Sequence, residues 1–435
     1  MNFKRIVHAA VARWQAQRRA RFERATVENI SPATDGRTAD GAAETAPKAD
    51  GKAARPATTE MEERLEGFLS TCYDFRFNLL TEVTEFRPRT EGGETPFRPA
   101  TERDLNAVCI EAHLRGIACW DRDILRRVNS AEVAAYHPFR LYFDTLPEWD
   151  GRDRLHDLAA RVSDDGHWTR AFHRWMLGTA AQWAGLADGM HAQCVAPLLV
   201  SDRQGMGKST FCRALLPPEL RAYYSDNVDL ARPERVERQL VEMGLLNLDE
   251  FDRIPPRKHP LLKNLMQLSA LNLRKAYQRH ACALPRIAAF IGTSNSRQLL
   301  SDPSGSRRFI CVTVERPVDC TGIDHPQIYA QLKAELLRGE RHWFDHAEEL
   351  ELQARNAAFY RISPVEEVVR RHYRPAVPHE KALLVSLPDL LADLRRRHPQ
   401  AMAGVNLMKL AQALADMGVQ RVHTHAGNRW RVAEV

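Results

Sequence analysis

The sequence predicts an α/β chain: an open, mainly parallel sheet carrying a P-loop nucleotide site, with a helical region before it and a winged-helix-like module after it. Three observations predict this. One is the stretch Val200-Ser201-Asp202-Arg203-Gln204-Gly205-Met206-Gly207-Lys208-Ser209-Thr210, entered from an apolar run and left by Phe211-Cys212-Arg213-Ala214-Leu215-Leu216, whose apolar spacing is helical. Strand, glycine loop, Lys-Ser/Thr and helix in that order are what a phosphate-binding loop needs. Another is the set of apolar runs at 195–200, 243–248, 287–292 and 309–314, each the length of a buried strand and separated by longer polar or amphipathic stretches. Such a sheet binds its ligand at the C-terminal strand ends. The third is the chemistry at two of those ends, Asp249-Glu250 and Thr293-Ser294-Asn295.

In the loop, glycines let backbone N–H groups turn inward around an anion, and the following helix adds the positive end of its dipole. Gln204, Gly205, Met206, Gly207, Lys208, Ser209 and Thr210 are the expected ATP-binding residues. Lys208 would reach the β- and γ-phosphates and the Ser209 hydroxyl would ligate Mg²⁺. The G-x-x-x-x-G-K-[ST] pattern has glycine where Asp202 stands. Asp tolerates left-handed backbone angles better than most residues, so the turn is expected to survive, at an electrostatic cost beside a triphosphate. A plain surface turn before a helix is the alternative.

Hydrophobic residues make up 44% of the 435, a globular value, and the length suits two or three domains. A formal net charge of +6 permits a polyanionic partner without demanding one. The eight cysteines show no C-x-x-C and no paired spacing with histidine. They read as reduced thiols of a cytoplasmic protein without structural zinc. No apolar run approaches the roughly 18–20 residues of a membrane span, and the N-terminus lacks the apolar segment of a secretion signal.

Along the chain, residues 1–59 read as a basic segment and a flexible linker. The first 24 carry Lys4, Arg5, Arg13, Arg18, Arg19, Arg21 and Arg24 against Glu23, with Ile6, Val7, Ala10, Val11 and Trp14 at helical spacing. A short basic helix, a solvated tail and a nucleic-acid contact all fit. Residues 25–59 have too little apolar surface to offset their ordering entropy. A helical domain is expected over 60–190. Residues 61–69 are amphipathic, and 73–78 read as a short strand or extended link. Thr101 before Glu102-Arg103-Asp104 is a capping pattern, and Asp121 and Ser130 offer two more N-caps. After a turn-rich boundary at 137–151, helices are expected over 152–162 and 168–187. The second carries Phe172, Trp175, Met176, Thr179 and Trp183 as a core stripe. The P-loop core is expected over 191–320 and a helical connector over 321–362. The winged-helix-like module occupies 363–435. Ser363-Pro364-Val365-Glu366 is a capping box with proline first in the helix. Ser386 opens a second helix, Asn406 caps a third that Gly418 stops, and His425-Ala426-Gly427-Asn428 turns a hairpin. Such modules carry nucleic acid or mediate protein contacts.

Around the loop, Asp249 is placed to hold the Mg²⁺ shell and Glu250 to orient and deprotonate a water. Acids after a strand can also simply open a helix. Asn295, at the tip of the strand beside the acidic one, can touch both the γ-phosphate and that water. This is the sensor position of ring ATPases; an Asn in a turn is the bland alternative. Arg307 and Arg308 precede an apolar strand, and either could neutralise the γ-phosphate of a neighbouring subunit or line a solvated edge. Lys258, His259, Lys263, Arg274, Lys275, Tyr277, Arg279, His280 and Arg286 lie between the acids and the sensor. They read as a nucleic-acid-facing surface, with Lys275, Arg279 and His280 as its contacts, or as a charged helix face, and Lys263 and Arg274 could instead serve the nucleotide.

From about residue 60 to 320 the chain resembles the virulence-associated protein E family, P-loop ATPases of phages, plasmids and genomic islands related to superfamily 3 helicases. The residues that carry the resemblance are Tyr136-His137-Pro138-Phe139, Trp149-Asp150-Gly151, 204–210, Asp249-Glu250, Lys263, Arg274-Lys275-Ala276-Tyr277, Pro285-Arg286, Gly292-Thr293-Ser294-Asn295 and Gly305-Ser306-Arg307-Arg308-Phe309. Asp202 departs from the family's usual glycine. The resemblance implies an AAA+/superfamily 3-like ATPase with ATP and Mg²⁺, assembled as a homo-oligomeric ring, a hexamer, with single-stranded or origin DNA as partner. Nothing resembles a primase catalytic domain, so priming would need a primase or other replication partner. Two other classes fit less of the pattern. One is an ATP-binding assembly switch, such as an initiator or helicase loader. The other is a small-molecule kinase, which seldom places Asp-Glu, an Asn sensor and an Arg pair in this order.

Overall fold

The structure, a computed structural model, describes residues 57–90, 95–187, 191–274, 280–300, 303–377, 379–425 and 427–435. The basic segment read at 1–24 lies outside the described residues.

Helix α1 (Ala57–Cys72) leads into β1 (Tyr73–Asn78), β2 (Thr84–Pro88) and β3 (Arg98–Pro99). Helices α2 (Glu102–Leu114) and α3 (Asp121–Val128) follow, then β4 (Ala135–Tyr136). The expectation of a helical domain is therefore corrected: the four strands form a mixed sheet in the order β3-β2-β1-β4. The alternation Tyr73, Phe75, Phe77 sets one face of β1, and Phe75 lies directly opposite Phe86 with the rings stacked at 6.1 Å. Leu65, Phe68, Val108, Ile124 and Val128 close a small core between α1, α2 and α3. The Thr101–Asp104 capping box forms. Asp121 is the first residue of α3, but the capping carboxylate is Asp123, which accepts from Trp120 N at 3.0 Å. Ser130 caps no helix; its hydroxyl donates to Arg127 O at 2.8 Å in the turn that leaves α3.

Helices α4 (Pro138–Thr145), α5 (Arg154–Ala160) and α6 (Gly166–Ala184) come next. Then β5 (Ala196–Val200), α7 (Lys208–Ala214), β6 (Tyr224–Ser225), α8 (Pro233–Glu242), β7 (Leu245–Leu248) and α9 (His259–Gln267) alternate. A hairpin of β8 (Ala270–Leu273) and β9 (Cys282–Pro285) precedes β10 (Ala289–Ser294) and β11 (Phe309–Thr313). The main sheet has the order β11-β5-β10-β7-β6, every pairing parallel. Its side chains alternate between two cores as a two-residue period demands. Leu199, Leu245, Ile291 and Ile310 face one side; Leu198, Leu246, Phe290 and Phe309 face the other. Burying each such Leu, Ile or Phe contributes about 1.5–3 kcal/mol.

The stripe on α6 is core: Phe172, Trp175, Met176 and Trp183 are at most 2% exposed. They share their core with the sheet, and Trp183 Nε1 donates to Gly244 O at 3.0 Å. Among the described residues, α6 before the boundary the sequence suggested at 190 and β5 after it therefore share one hydrophobic core. Helices α10 (His325–Leu337) and α11 (His346–Arg355) complete this body. Beyond it, α12 (Pro364–Arg370), α13 (Leu387–Arg397) and α14 (Leu407–Asp416) start at Ser363, Ser386 and Asn406, each side chain accepting a backbone N–H. The hairpin β14 (Gln420–Thr424) and β15 (Gly427–Glu434) joins β12 (Tyr373–Pro375) and β13 (Leu383–Val385), two short strands the sequence did not reveal. Leu390, Leu394, Leu410, Leu414 and Trp430 form their core.

Candidate functional site

The strand order brings three loops together. Because β10 lies between β5 and β7, its C-terminal tip stands beside the loop leaving β5 and beside the acids leaving β7. Ser294 pairs with Val200 and Gly292 with Leu248. Side chains at these tips meet. Lys208, 7% exposed, points its Nζ at Asn295 Oδ1, 3.1 Å away. The same Nζ lies 3.4 Å from the carbonyls of Ser201 and Arg203. Ser209 Oγ donates to Asp249 Oδ1 at 2.8 Å, and Thr293 Oγ1 donates to the same oxygen at 2.6 Å. Burial holds the Lys208 ammonium below the ordinary lysine range, while the charges of Asp249, Asp252 and Asp202 oppose that shift.

Gly205 and Gly207 have φ of 73° and 79°, the left-handed angles that glycine adopts freely. Asp202 does not: its φ is not positive. The missing glycine thus imposes no backbone strain, which corrects the reason expected for its tolerance. Met206 is buried against the core, and its carbonyl accepts from Val318 N at 3.0 Å. The N–H groups of Gln204, Gly205 and Gly207 have no acceptor among the described residues. A row of free N–H groups beside a buried ammonium suits an anion. A hydroxyl and a carboxylate 2.8 Å apart, Ser209 and Asp249, are oxygen donors of the kind Mg²⁺ takes along with phosphate. Among the described residues no group of three or more His, Cys, Asp or Glu is set to hold a metal. Thr210 and Gln204 are exposed at the loop.

The other expected residues stand apart. Glu250 has a left-handed backbone, φ 52°, strain that costs about 1–2 kcal/mol in a non-glycine residue. Its carboxylate pairs with Arg253 at 2.8 Å and touches none of the groups above. Arg307 and Arg308 end a 3₁₀ turn (Pro303–Arg308) at the N-terminal end of β11. Phe309 pairs with Ala196 and Thr313 with Val200, so these arginines lie roughly 16 Å of strand away from the glycine loop. Arg307 Nη1 is 3.2 Å from Glu349 Oε2.

The basic stretch is no single helix face. His280 is exposed in the β8–β9 connection, while Lys275 and Arg279 lie outside the described residues. His259 is buried and stacks on Phe251 at 5.3 Å. Arg286, 2% exposed, reaches Leu265, Met266 and Gln193 carbonyls and Gln182 Oε1. Both are structural.

Three residues make contacts that the sequence reading did not assign. Thr293 holds Asp249. Asp252 accepts from Ser294 Oγ at 2.8 Å and from Asn295 N at 3.1 Å. Arg361 donates to Asp252 O at 2.6 Å. Only the position of Asp252 just past the strand end was a signal.

Among curated proteins none matches the chain. The apo structure of the NrS-1 C-terminal region is similar at 11% identity, covering 86% of this chain and 99% of that one with a TM-score of 0.40. An A-form apo structure of the same region gives 12%, 86%, 99% and 0.40. A likeness so loose carries no argument. Residues 362–432 match a domain of unknown function, DUF3874. No helix of the described residues is long and apolar enough to cross a membrane. The virulence-associated protein E-like domain matches residues 143–361, half of the chain, and the chain belongs to that family.

Proposed function

We propose that the protein is an ATP-hydrolysing, helicase- or translocase-like ATPase of mobile-element or phage DNA replication, working as a ring on single-stranded DNA. The observation that supports this best is the meeting of Lys208, Ser209, Asp249 and Asn295 at three neighbouring strand tips. ATP would lie with its phosphates on the glycine loop and Lys208. Ser209 and Asp249 would hold Mg²⁺, which neutralises phosphate charge when bound. Asn295 would contact the γ-phosphate, Glu250 would take a proton from water after leaving Arg253, and Arg307 or Arg308 would serve the next subunit. Lying far from their own subunit's glycine loop suits the arginines to that role. The β8–β9 hairpin would carry Lys275, Arg279 and His280 to DNA, and residues 363–435 would form a winged-helix-like module. The test is ATP hydrolysis by wild type and Lys208→Ala, with and without single-stranded DNA. Hydrolysis absent in both conditions overturns the motor.

One observation favours a second reading. Glu250 is tied to Arg253 rather than aimed at the loop, as in an ATP-binding switch that assembles on DNA with negligible turnover. Robust ATP-dependent unwinding of forked DNA rules that reading out.

A further inference from the structure

The segment 356–361 runs along the chain between Asn295 and β11. Asn356 Nδ2 donates to the carbonyls of Ser306 and Phe309, each at 2.8 Å. The hydroxyls of Ser306 and Tyr360 meet at 2.5 Å. The N–H groups of Leu299 and Leu300 both reach Phe359 O at 3.0 Å, and Arg361 N donates to Leu300 O at 2.7 Å. The Arg361 side chain then crosses to the acidic strand end, Nε donating to Gln298 O at 2.9 Å and Nη2 to Asp252 O at 2.6 Å. The Asp252 carboxylate takes Ser294 Oγ and Asn295 N, and Asn295 Oδ1 faces Lys208 Nζ. Arg361 is also the last residue of the virulence-associated protein E-like match; the next match begins at 362.

We propose that Asp252 and Arg361 are positioning residues that fix the sensor Asn295 and tie its placement to the segment entering the C-terminal module. Two acceptor contacts from one carboxylate set both the backbone and the neighbouring side chain at the tip of β10, so Asn295 has little freedom to turn away from Lys208. Arg361 holds the backbone of Asp252 from the other side, with two N–H groups on two different loops. A shift of 362–432 that pulls on Arg361 therefore reaches the sensor through two hydrogen-bonded steps. The catalytic consequence rests on the ATPase reading; the geometric one does not.

The experiment compares full-length wild type with Asp252→Ala, Asp252→Asn and Arg361→Ala by amide hydrogen exchange without nucleotide and by steady-state ATP hydrolysis. Asn at 252 keeps the oxygen acceptor and drops the charge. Positioning predicts that Asp252→Ala and Arg361→Ala speed exchange over 294–300 by about tenfold. It also predicts that they lower kcat about tenfold with KM within about threefold. Asp252→Asn should recover slow exchange and most of kcat. Unchanged exchange in Asp252→Ala and Arg361→Ala, or an Asn variant that exchanges as fast as the Ala variant, overturns the proposal. If Asp252→Ala shows no cooperative melting, Arg361→Ala and Asp252→Asn decide on the same readout. If wild type hydrolyses no ATP, the ATPase reading falls while the exchange pattern still decides the positioning.

Discussion

The Lys208 ammonium stands 3.1 Å from the amide oxygen of Asn295, a cation held by a neutral partner across two adjacent strand tips. A neutral partner leaves most of the charge available to an incoming anion; a carboxylate there would not. Asn295→Asp should therefore act in opposite directions on two measurements. It should raise the melting temperature of the free protein, adding about 1 kcal/mol through a part-buried ion pair. It should also weaken ATP binding about a hundredfold by placing a negative charge against the phosphates. Calorimetric melting and titration with a fluorescent ATP analogue check the two halves. An Asp variant that binds ATP as well as wild type removes Asn295 from the site.

The glycines of the loop differ in what limits them. Gly207 has φ 79°, and an added Cβ would lie 3.1 Å from Val318 O, whereas Gly205 has φ 73° with open space around it. Gly205→Ala should cost only the left-handed strain, about 1–2 kcal/mol. Gly207→Ala should cost more, because the segment through Val318 must also give way. Thermal unfolding of both variants gives the order; equal losses would mean that Val318 yields freely.

Periodicity made the parallel sheet legible, because buried strands print as short apolar runs and polar tips interrupt them. Asp249 and Asn295 stand just past such runs, while Lys208 is marked by the glycine loop that separates its run from the helix it opens. Asp252 gave only its place just past a strand end, and Arg361 gave nothing, since its reach to Asp252 follows a pairing of 298–300 with 359–361 that leaves no periodic trace. Local signals also misled where tertiary packing decided. Ser130 has the chemistry of an N-cap but turns back onto Arg127. Arg286 looked like one basic group among many, yet it is buried against carbonyls that no sequence pattern marks.

That burial separates Arg286 from its basic neighbours in a measurable way. Replacing it by Met leaves the Met266 and Gln193 carbonyls without their donor and takes from the Leu265 carbonyl one of its two, the other being Leu268 N. The expected loss is about 3 kcal/mol of stability. His280→Ala, on the exposed connection, should stay within about 0.5 kcal/mol. Urea unfolding of the two variants tests this, and a stable Arg286→Met protein would show that the buried guanidinium is dispensable.

His137 supplies a pH dependence with a definite sign. Its ring accepts from Arg140 N at 3.4 Å and caps α4, and it is half-buried where that helix meets the body. Burial, with the nearby Arg140 charge, pushes its pKa down from 6.5 to about 3. The folded state thus binds the proton less readily than the unfolded chain. The stability His137 contributes is complete above the unfolded value of 6.5 and is lost as pH falls from there toward 3. Protonation also removes the acceptor that caps the helix. At about pH 5 the loss amounts to about 2 kcal/mol. His137→Asn keeps a capping oxygen and cannot take up the proton. Its melting temperature should fall less than that of wild type between about pH 7 and about pH 5, whatever its absolute value. Parallel curves for the two proteins across that window would show that His137 is not the group that titrates.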